Sequence, residues 1–231
     1  MARESEALRD TLRPESLDGI VGNTVAKKMC HRIIERKSHE SILFYGPIGT
    51  GKTCLASIVA KELLPEWGLA NHVHHINSSS DAATLDAVRE MIEKDSHLIG
   101  TRIKIFDEAH ALSPKVQELL LTEIDSNTSG NAYFFCTSNH SKLSPALRDR
   151  CTKIELKLLS PEEARELIER VWRWLKFGDD PPNDFIAEAQ RLKLGSPRQI
   201  INALAEYHDG KPANDAVRDA LGMTTEAPTR R

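Results

Sequence analysis

Apolar positions along the chain follow two rhythms, and the change comes near residue 160. Before it, short apolar runs alternate with stretches in which apolar residues recur at helical spacing. The runs at 41–45, 72–76, 103–106, 132–137 and 152–156 predict five strands. A helix is expected from Asn23 or Thr24 to about residue 36, with Val25, Met29 and Ile33 on one face. Further helices are expected over 54–64, over 114–125, and from Ser80 or Asp81 to 93, the last carrying Leu85, Val88 and Ile92. Strands alternating with helices at this spacing specify a parallel sheet covered on both faces. Residues 1–22 are polar and read as an extended arm and turn.

Beyond residue 160 the strand rhythm stops. Ser160-Pro161-Glu162-Glu163 reads as a helix start, with Ser160 as the cap and Pro161 in the first turn. Ala164, Leu167, Ile168, Val171 and Leu175 repeat at helical spacing until Gly178-Asp179-Asp180-Pro181-Pro182 breaks the pattern. A second helix carries Phe185, Ile186, Ala189 and Leu192. A third starts after Gly195 at Ser196 and Pro197 and carries Ile200, Ile201, Leu204 and Tyr207. The expected organisation is an α/β nucleotide-binding domain over 1–158, a small helical domain over 159–215 and a weakly patterned tail over 216–231.

Charge and cysteine usage narrow the function classes. The 231 residues carry 31 basic and 34 acidic side chains, a net charge of −3, so any nucleic-acid contact must be local rather than a bulk cationic surface. Cys30, Cys54, Cys136 and Cys151 are widely spaced with no C-x-x-C pair, which favours reduced thiols over disulfides or a zinc site. No apolar run reaches membrane-spanning length and the N-terminus lacks a signal-peptide core, so a soluble cytoplasmic protein with no membrane partner is expected. His72, His74 and His75 cluster, but His72 and His74 share one strand face and His75 the other. No nearby acid or thiol completes a tetrahedral set.

The chemistry concentrates in Gly46-Pro47-Ile48-Gly49-Thr50-Gly51-Lys52-Thr53, which fits G-x-x-x-x-G-K-[ST] between an expected strand and an expected helix. Glycines let backbone N–H groups close around a polyphosphate, and the helix N-terminus adds positive partial charge. Lys52 would reach the terminal phosphates and Thr53 would offer its hydroxyl to Mg²⁺; Cys54 completes the set of candidate nucleotide contacts. Ile103-Lys104-Ile105-Phe106-Asp107-Glu108 ends in two acids at the C-terminal edge of the sheet, where open α/β sheets bind ligands. Asp107 would hold Mg²⁺ and Glu108 would orient and deprotonate the attacking water. Asn139, after the strand at 132–137, can hold that water or the γ-phosphate. Asp107-Glu108-Ala109-His110 also spells the box of a large helicase class. Those enzymes need a second nucleotide-binding-type domain and further arginine motifs, so the letters read as coincidence.

Several segments, in the right order over about 11–208, resemble the clamp-loader branch of the AAA+ ATPases. Residues 11–22 are similar to that family's opening segment. Asn77-Ser78-Ser79-Ser80-Asp81, followed by Val88-Arg89-Glu90-Met91-Ile92, resembles the segment and DNA-facing helix of its small subunits. The stretch 142–151, ending in Arg148-Asp149-Arg150-Cys151, resembles the family's Ser-Arg-Cys motif, and Gly195-Ser196-Pro197-Arg198 its second sensor. The resemblance implies an AAA+ P-loop fold with a helical lid and an ATPase that uses ATP and Mg²⁺ and is active only in an oligomer. It implies that Arg150, with Arg148 as the competing candidate, is an arginine finger acting on a neighbour's ATP. Arg198 would contact nucleotide in cis, Val21 and Gly22 would line the adenine pocket, and Arg89 would touch DNA phosphates.

The implied partners are other clamp-loader subunits or copies of this chain, a sliding clamp and primer–template DNA, in a bacterial or virus-infected cell. A compact viral or plasmid-borne form is the expectation, because the chain ends just after the lid with no counterpart of the family's collar domain. The zinc-binding cysteines of one bacterial loader subunit have no counterpart either. Asp149 stands where that family usually has serine, and Arg-Asp-Arg also resembles Holliday-junction branch-migration motors. Branch migration, helicase loading and a non-hydrolysing ATP-gated adaptor therefore stay open as alternatives.

Overall fold

A computed structural model describes residues 11–64, 72–96, 102–126, 131–175 and 182–223, and the chain divides into two compact units. One comprises Thr24–Pro47 and Lys52–Lys157; the other comprises Met1–Asn23, Ile48–Gly51 and Leu158–Arg231.

The first unit is built on five strands: β1 (Ile42–Tyr45), β2 (Val73–Asn77), β3 (Ile103–Asp107), β4 (Ala132–Thr137) and β5 (Thr152–Glu155). Their order is β2-β3-β4-β1-β5 and every pairing is parallel, so all five C-terminal ends lie on one edge. Among the described residues, five helices accompany them: α1 (Thr24–Glu35), α2 (Lys52–Leu63), α3 (Leu85–Ser96), α4 (Pro114–Ser126) and the short α5 (Pro145–Asp149). Because side chains alternate along a strand, β1 and β4 feed two cores. Leu43, Phe106, Tyr133 and Phe135 pack with Val88 of α3 and Val116 and Leu120 of α4, and the Phe106 and Phe135 rings stack at 5.6 Å. On the other face Phe44 and Phe134 meet edge to face at 5.7 Å.

Local chemistry shifts some of the expected boundaries. Helix α1 buries Ala26, Cys30 and Ile33, while Val25 is 74% exposed. Ile33 is buried as expected, while Ala26 and Cys30 take the inner positions expected of Val25 and Met29. Helix α2 begins at Lys52, two residues earlier than expected, so the loop lysine and threonine are already helical. Neither Ser80 nor Asp81 caps α3. A 3-10 turn over Asp81–Ala83 comes first, and Thr84 Oγ1 accepts the Ala87 N–H instead. Helix α5 had no apolar period to announce it, yet Ser144 caps it and Pro145 opens it.

The second unit collects four helices, α6 (Pro161–Trp174), α7 (Asn183–Arg191), α8 (Pro197–His208) and α9 (Ala213–Ala220), around Ile168, Phe185, Ile200, Leu204 and Val217. Ser160 and Glu163 form a reciprocal capping box at the start of α6. The expected break at 178–182 falls outside the described residues except for Pro182. Helix α9 lies in a stretch that showed little pattern. Two apolar side chains, Ala216 and Val217, suffice because the other three helices supply the rest of the core.

All four cysteines are free thiols, and burial pushes Cys30 and Cys151 up to about 12. A buried ion cluster sits at the N-terminal end of β3. Asp95 of α3 pairs with Arg102 at 3.5 Å and with the fully buried Lys104, whose ammonium is lowered by desolvation while Asp95 opposes the shift. Removing the acid takes away the carboxylate that both buried cations share. Asp95→Ala is expected to destabilise the chain by about 3–5 kcal/mol in urea unfolding; a loss under about 1 kcal/mol would show that the cluster is hydrated rather than dry.

Candidate functional site

The end of β1 turns into the phosphate loop at Gly46, whose φ of 143° is open to glycine. A Cβ there would lie 1.9 Å from the Leu156 carbonyl oxygen, because β5 runs alongside and Leu156 N–H bonds Tyr45 O at 2.8 Å. Gly46 N–H donates to Thr137 O at 3.3 Å, which ties the loop to β4. Lys52 is only 8% exposed, and its Nζ donates to the carbonyls of Gly46 at 2.9 Å and Pro47 at 2.8 Å. The ammonium is thus anchored where the loop's backbone curls around it.

Thr53 and Asp107 meet although 54 residues separate them: Thr53 Oγ1 donates to Asp107 Oδ2 at 3.0 Å. The other carboxylate oxygen, Oδ1, accepts the Glu108 N–H at 3.0 Å. Two hard oxygens this far apart match adjacent corners of a Mg²⁺ octahedron, whose bonds of about 2.1 Å put neighbouring ligands about 3 Å apart. The donor set fits the ion. Glu108 has φ 51°, a left-handed conformation that begins a 3-10 turn over Ala109–Ala111. Its Oε2 lies 3.3 Å from His110 Nδ1, and the same nitrogen is 3.2 Å from Thr137 Oγ1. Asn139 follows β4, exposed, with its N–H on Thr137 Oγ1 at 3.0 Å and its Oδ1 accepting from Ser141 at 2.6 Å. On the opposite side of the acids, His75, Ile76, Asn77, Asp107 and Glu108 line an open cavity of about 260 Å³.

The candidate finger stands apart from this group. Arg150 caps the end of α5, is about half exposed and pairs with Asp125 of α4, which raises the guanidinium further. Arg148 is more enclosed, and its Nε finds no partner among the described residues. The buried Gln117 of α4 fixes this region: its Oε1 accepts the Ser144 N–H at 2.7 Å and its Nε2 donates to Leu112 O at 2.9 Å. Arg89 is exposed on α3 beside Asp86 at 3.5 Å. The exposed face there carries Asp86, Glu90 and Glu93 against Arg89 and Lys94, three acids to two bases, so it is not a cationic track.

The remaining candidates fall in the helical unit. Val21 is buried, and Gly22 lies against Leu159 and Glu163. Ile48 and Gly49 offer their carbonyls to Ser196 Oγ and Arg198 N–H, each at 3.4 Å, and a Cβ on Gly49 would meet Ser196 Oγ at 2.3 Å. The Arg198 side chain is exposed. Thr50 is buried, Gly51 has φ 92° and Cys54, on α2 in the sheet unit, is half-buried. The structure therefore brings Lys52, Thr53, Asp107, Glu108 and Asn139 to one sheet edge, and Val21, Gly22, Gly49 and Arg198 into the other unit. Sequence reasoning passed over Thr137, His110 and Gln117. Thr137 was visible as the polar end of an apolar strand, and His110 stood in the box read as coincidence.

A phosphate loop leading off β1, with paired acids two strands away on a parallel sheet, defines the P-loop nucleoside-triphosphatase class. A family model, "ATPase family associated with various cellular activities (AAA)", matches residues 42–158. The chain is 31% identical over 230 residues to the replication factor C small subunit of Methanosphaera stadtmanae, covering 95% of this chain and 69% of that one. It is 29% identical over 202 residues to replication factor C subunit 3 of Schizosaccharomyces pombe (85% and 58% covered) and 27% over 217 residues to human replication factor C subunit 5 (91% and 63%). The chain spans about three fifths of the length of those last two relatives. Among solved structures, the Thermotoga maritima RuvB Holliday junction branch migration motor superposes with a TM-score of 0.72 at 24% identity, covering 91% of this chain and 72% of that one, a likeness of fold alone. The chain belongs to the AAA ATPase family, in the clamp-loader branch that includes the replication factor C small subunits. No helix among the described residues is long and apolar enough to cross a membrane.

Gly46 gives the sharpest test of the loop. Gly46→Ala is expected to displace β5 from β1, costing about 1–3 kcal/mol of stability in strain and clash, and to abolish ADP binding by calorimetry. Retained affinity would mean that the loop closes around phosphate without this turn.

Proposed function

We propose that this chain is an ATP-hydrolysing subunit of a DNA sliding-clamp loader, acting in replication as part of a ring-like assembly on primer–template DNA. The observation that carries the reading is the contact of Thr53 Oγ1 with Asp107 Oδ2 at 3.0 Å beside the anchored Lys52, a ready site for a metal–triphosphate. Its partners would be other loader subunits or copies of itself, the clamp and DNA. The replication factor C relatives are eukaryotic and archaeal, so a bacterial or virus-infected host cell is no part of the proposal, and a soluble assembly is.

In hydrolysis, Lys52 turns its N–H groups from the loop carbonyls to the β- and γ-phosphate oxygens. Thr53 and Asp107 would hold Mg²⁺, which would supply neutralisation of the charge on the phosphates. Glu108 takes a proton from the attacking water, and Asn139 orients that water against the γ-phosphate. Arg150 of a neighbouring subunit stabilises the charge that develops in the transition state. Val21 and Gly22 hold the adenine, the backbone of Gly46 to Thr53 cradles the phosphates, Cys54 lies at the loop's exit, and Arg198 reports the γ-phosphate to the helical unit. Arg89 contacts DNA phosphate within the assembly, where neighbouring subunits must offset the acids around it.

Two variants test the shared site. Glu108→Gln is expected to lower ATP turnover by about 100-fold or more while leaving ATP binding intact; an unchanged rate would instead support a non-hydrolysing adaptor. Arg150→Ala is expected to be inactive alone but to recover turnover when mixed with Glu108→Gln chains, which still supply a finger. Absence of recovery would remove Arg150 from the trans role and favour Arg148. Turnover that responds to neither primed DNA nor a cognate clamp would sink the loader reading itself.

A further inference from the structure

Strand β3 has a neighbour on each side, and the carboxylate of Glu108 at its end can therefore turn two ways. Toward β2 it faces the cavity lined by His75 and Asn77. On the other side lies β4, followed by Asn139, and one strand further is β1, which leads into the phosphate loop. His110 stands on the β4 side. Residues two apart do not face each other in a regular helix. Here the left-handed Glu108, φ 51°, folds the following turn back, Ala111 N–H donates to Glu108 O at 2.8 Å, and the imidazole returns to the carboxylate.

The hydrogen-bond logic of Nδ1 is restrictive. An ionised Glu108 only accepts, so the 3.3 Å approach of Oε2 becomes a hydrogen bond only when Nδ1 carries a proton. Thr137 Oγ1, 3.2 Å away, already accepts the Asn139 N–H and can accept from Nδ1 as well. With the proton on Nε2 instead, Nδ1 would take the Thr137 hydroxyl proton and turn a lone pair toward the carboxylate. One tautomer holds Glu108, and the other lets it go.

We propose that His110 is a positioning residue that, in its Nδ1–H tautomer, holds the Glu108 carboxylate on the β4 side, beside Asn139 and the phosphate loop. The proposal rests on Glu108 being the base in hydrolysis. It gives the fourth letter of Asp107-Glu108-Ala109-His110 a task within this site, independent of any helicase.

The tautomer can be read directly from imidazole nitrogen shifts in the nitrogen-15-labelled full chain without nucleotide. The expected result is an Nδ1-protonated ring, identified by its loss in His110→Ala, whose shifts move in Glu108→Gln and in Thr137→Val. An Nε2-protonated ring indifferent to Glu108→Gln overturns the proposal. Kinetically, His110→Ala is expected to lower kcat about tenfold with the KM for ATP within about twofold, since positioning acts on the chemical step. His110→Asn places an amide N–H where Nδ1 was and should recover most of the rate; His110→Gln, which reaches the Nε2 position, should not. Equal losses in His110→Ala and His110→Asn with a raised KM would mean a merely structural role and overturn the proposal. Glu108→Gln in the same assay separates the two ideas. If it abolishes turnover while His110→Ala does nothing, only the role of His110 falls; if it leaves turnover intact, the base reading falls and takes the proposal with it.

Discussion

Thr137, fully buried at the end of β4, is the point on which the sheet edge depends, because the phosphate loop and the turn after β3, both distant in sequence, converge on it beside its near neighbour Asn139. Its carbonyl accepts the N–H of Gly46 from the phosphate loop, and its hydroxyl accepts the N–H of Asn139 and contacts His110, which touches Glu108. This works only because β4 lies between β1 and β3 and all three run parallel, so their ends arrive at the same level. Each bond contributes about 1 kcal/mol net, yet a buried donor or acceptor left without a partner costs about 1–3 kcal/mol. The penalty for misalignment, more than the reward for alignment, holds the loop, the candidate base and the amide in register.

The phosphate loop is divided between the two compact units. Gly46, Pro47, Lys52 and Thr53 belong with the sheet, and Ile48–Gly51 belong with the helical unit, where Ser196 and Arg198 hold the carbonyls of Ile48 and Gly49. Carbonyls engaged this way orient the intervening peptide planes. Glycine at 49 is required by contact as well as by its φ of 78°, since any Cβ would strike Ser196 Oγ. The loop's glycines thus serve two neighbours, Leu156 at position 46 and Ser196 at position 49, each within its own unit.

The central strands β1, β3 and β4 were legible because they are buried on both faces and read as near-continuous apolar runs; the outer β2 and β5 carry polar, exposed positions and were found from their few apolar residues and their place in the alternation with helices. Lys52, Thr53, Asp107 and Glu108 were legible because their chemistry requires fixed neighbours in sequence. What stayed hidden depends on partners distant in sequence. Lys104 sits amid an apolar strand and is fully buried only because Asp95 reaches it from α3. Helix α5 is too short to show a period. Helix α9 has two buried apolar residues and relies on a core made by others. His110 and Thr137 matter through a contact across 27 residues that no local pattern encodes. Two positions of the α1 face were misplaced by one residue because alanine and cysteine carry less hydrophobic signal than the valine and methionine beside them.

In the shared site we propose, Arg150 is held ready for use in another molecule. Its guanidinium is half exposed and lies against Asp125, also half exposed, so solvent screens the pair and little holds it shut. The contact still fixes the direction of the side chain, and Ser144 and Gln117 fix the helix that carries it. A triphosphate offers several anionic oxygens in place of one carboxylate, and bidentate, charge-assisted bonds to it are stronger than a screened surface pair. In the proposed assembly an incoming nucleotide edge would therefore outcompete Asp125 without any change in the fold around the arginine. Arg148, more enclosed, would have to leave its packing to do the same, which makes Arg150 the better suited of the two to reach across an interface.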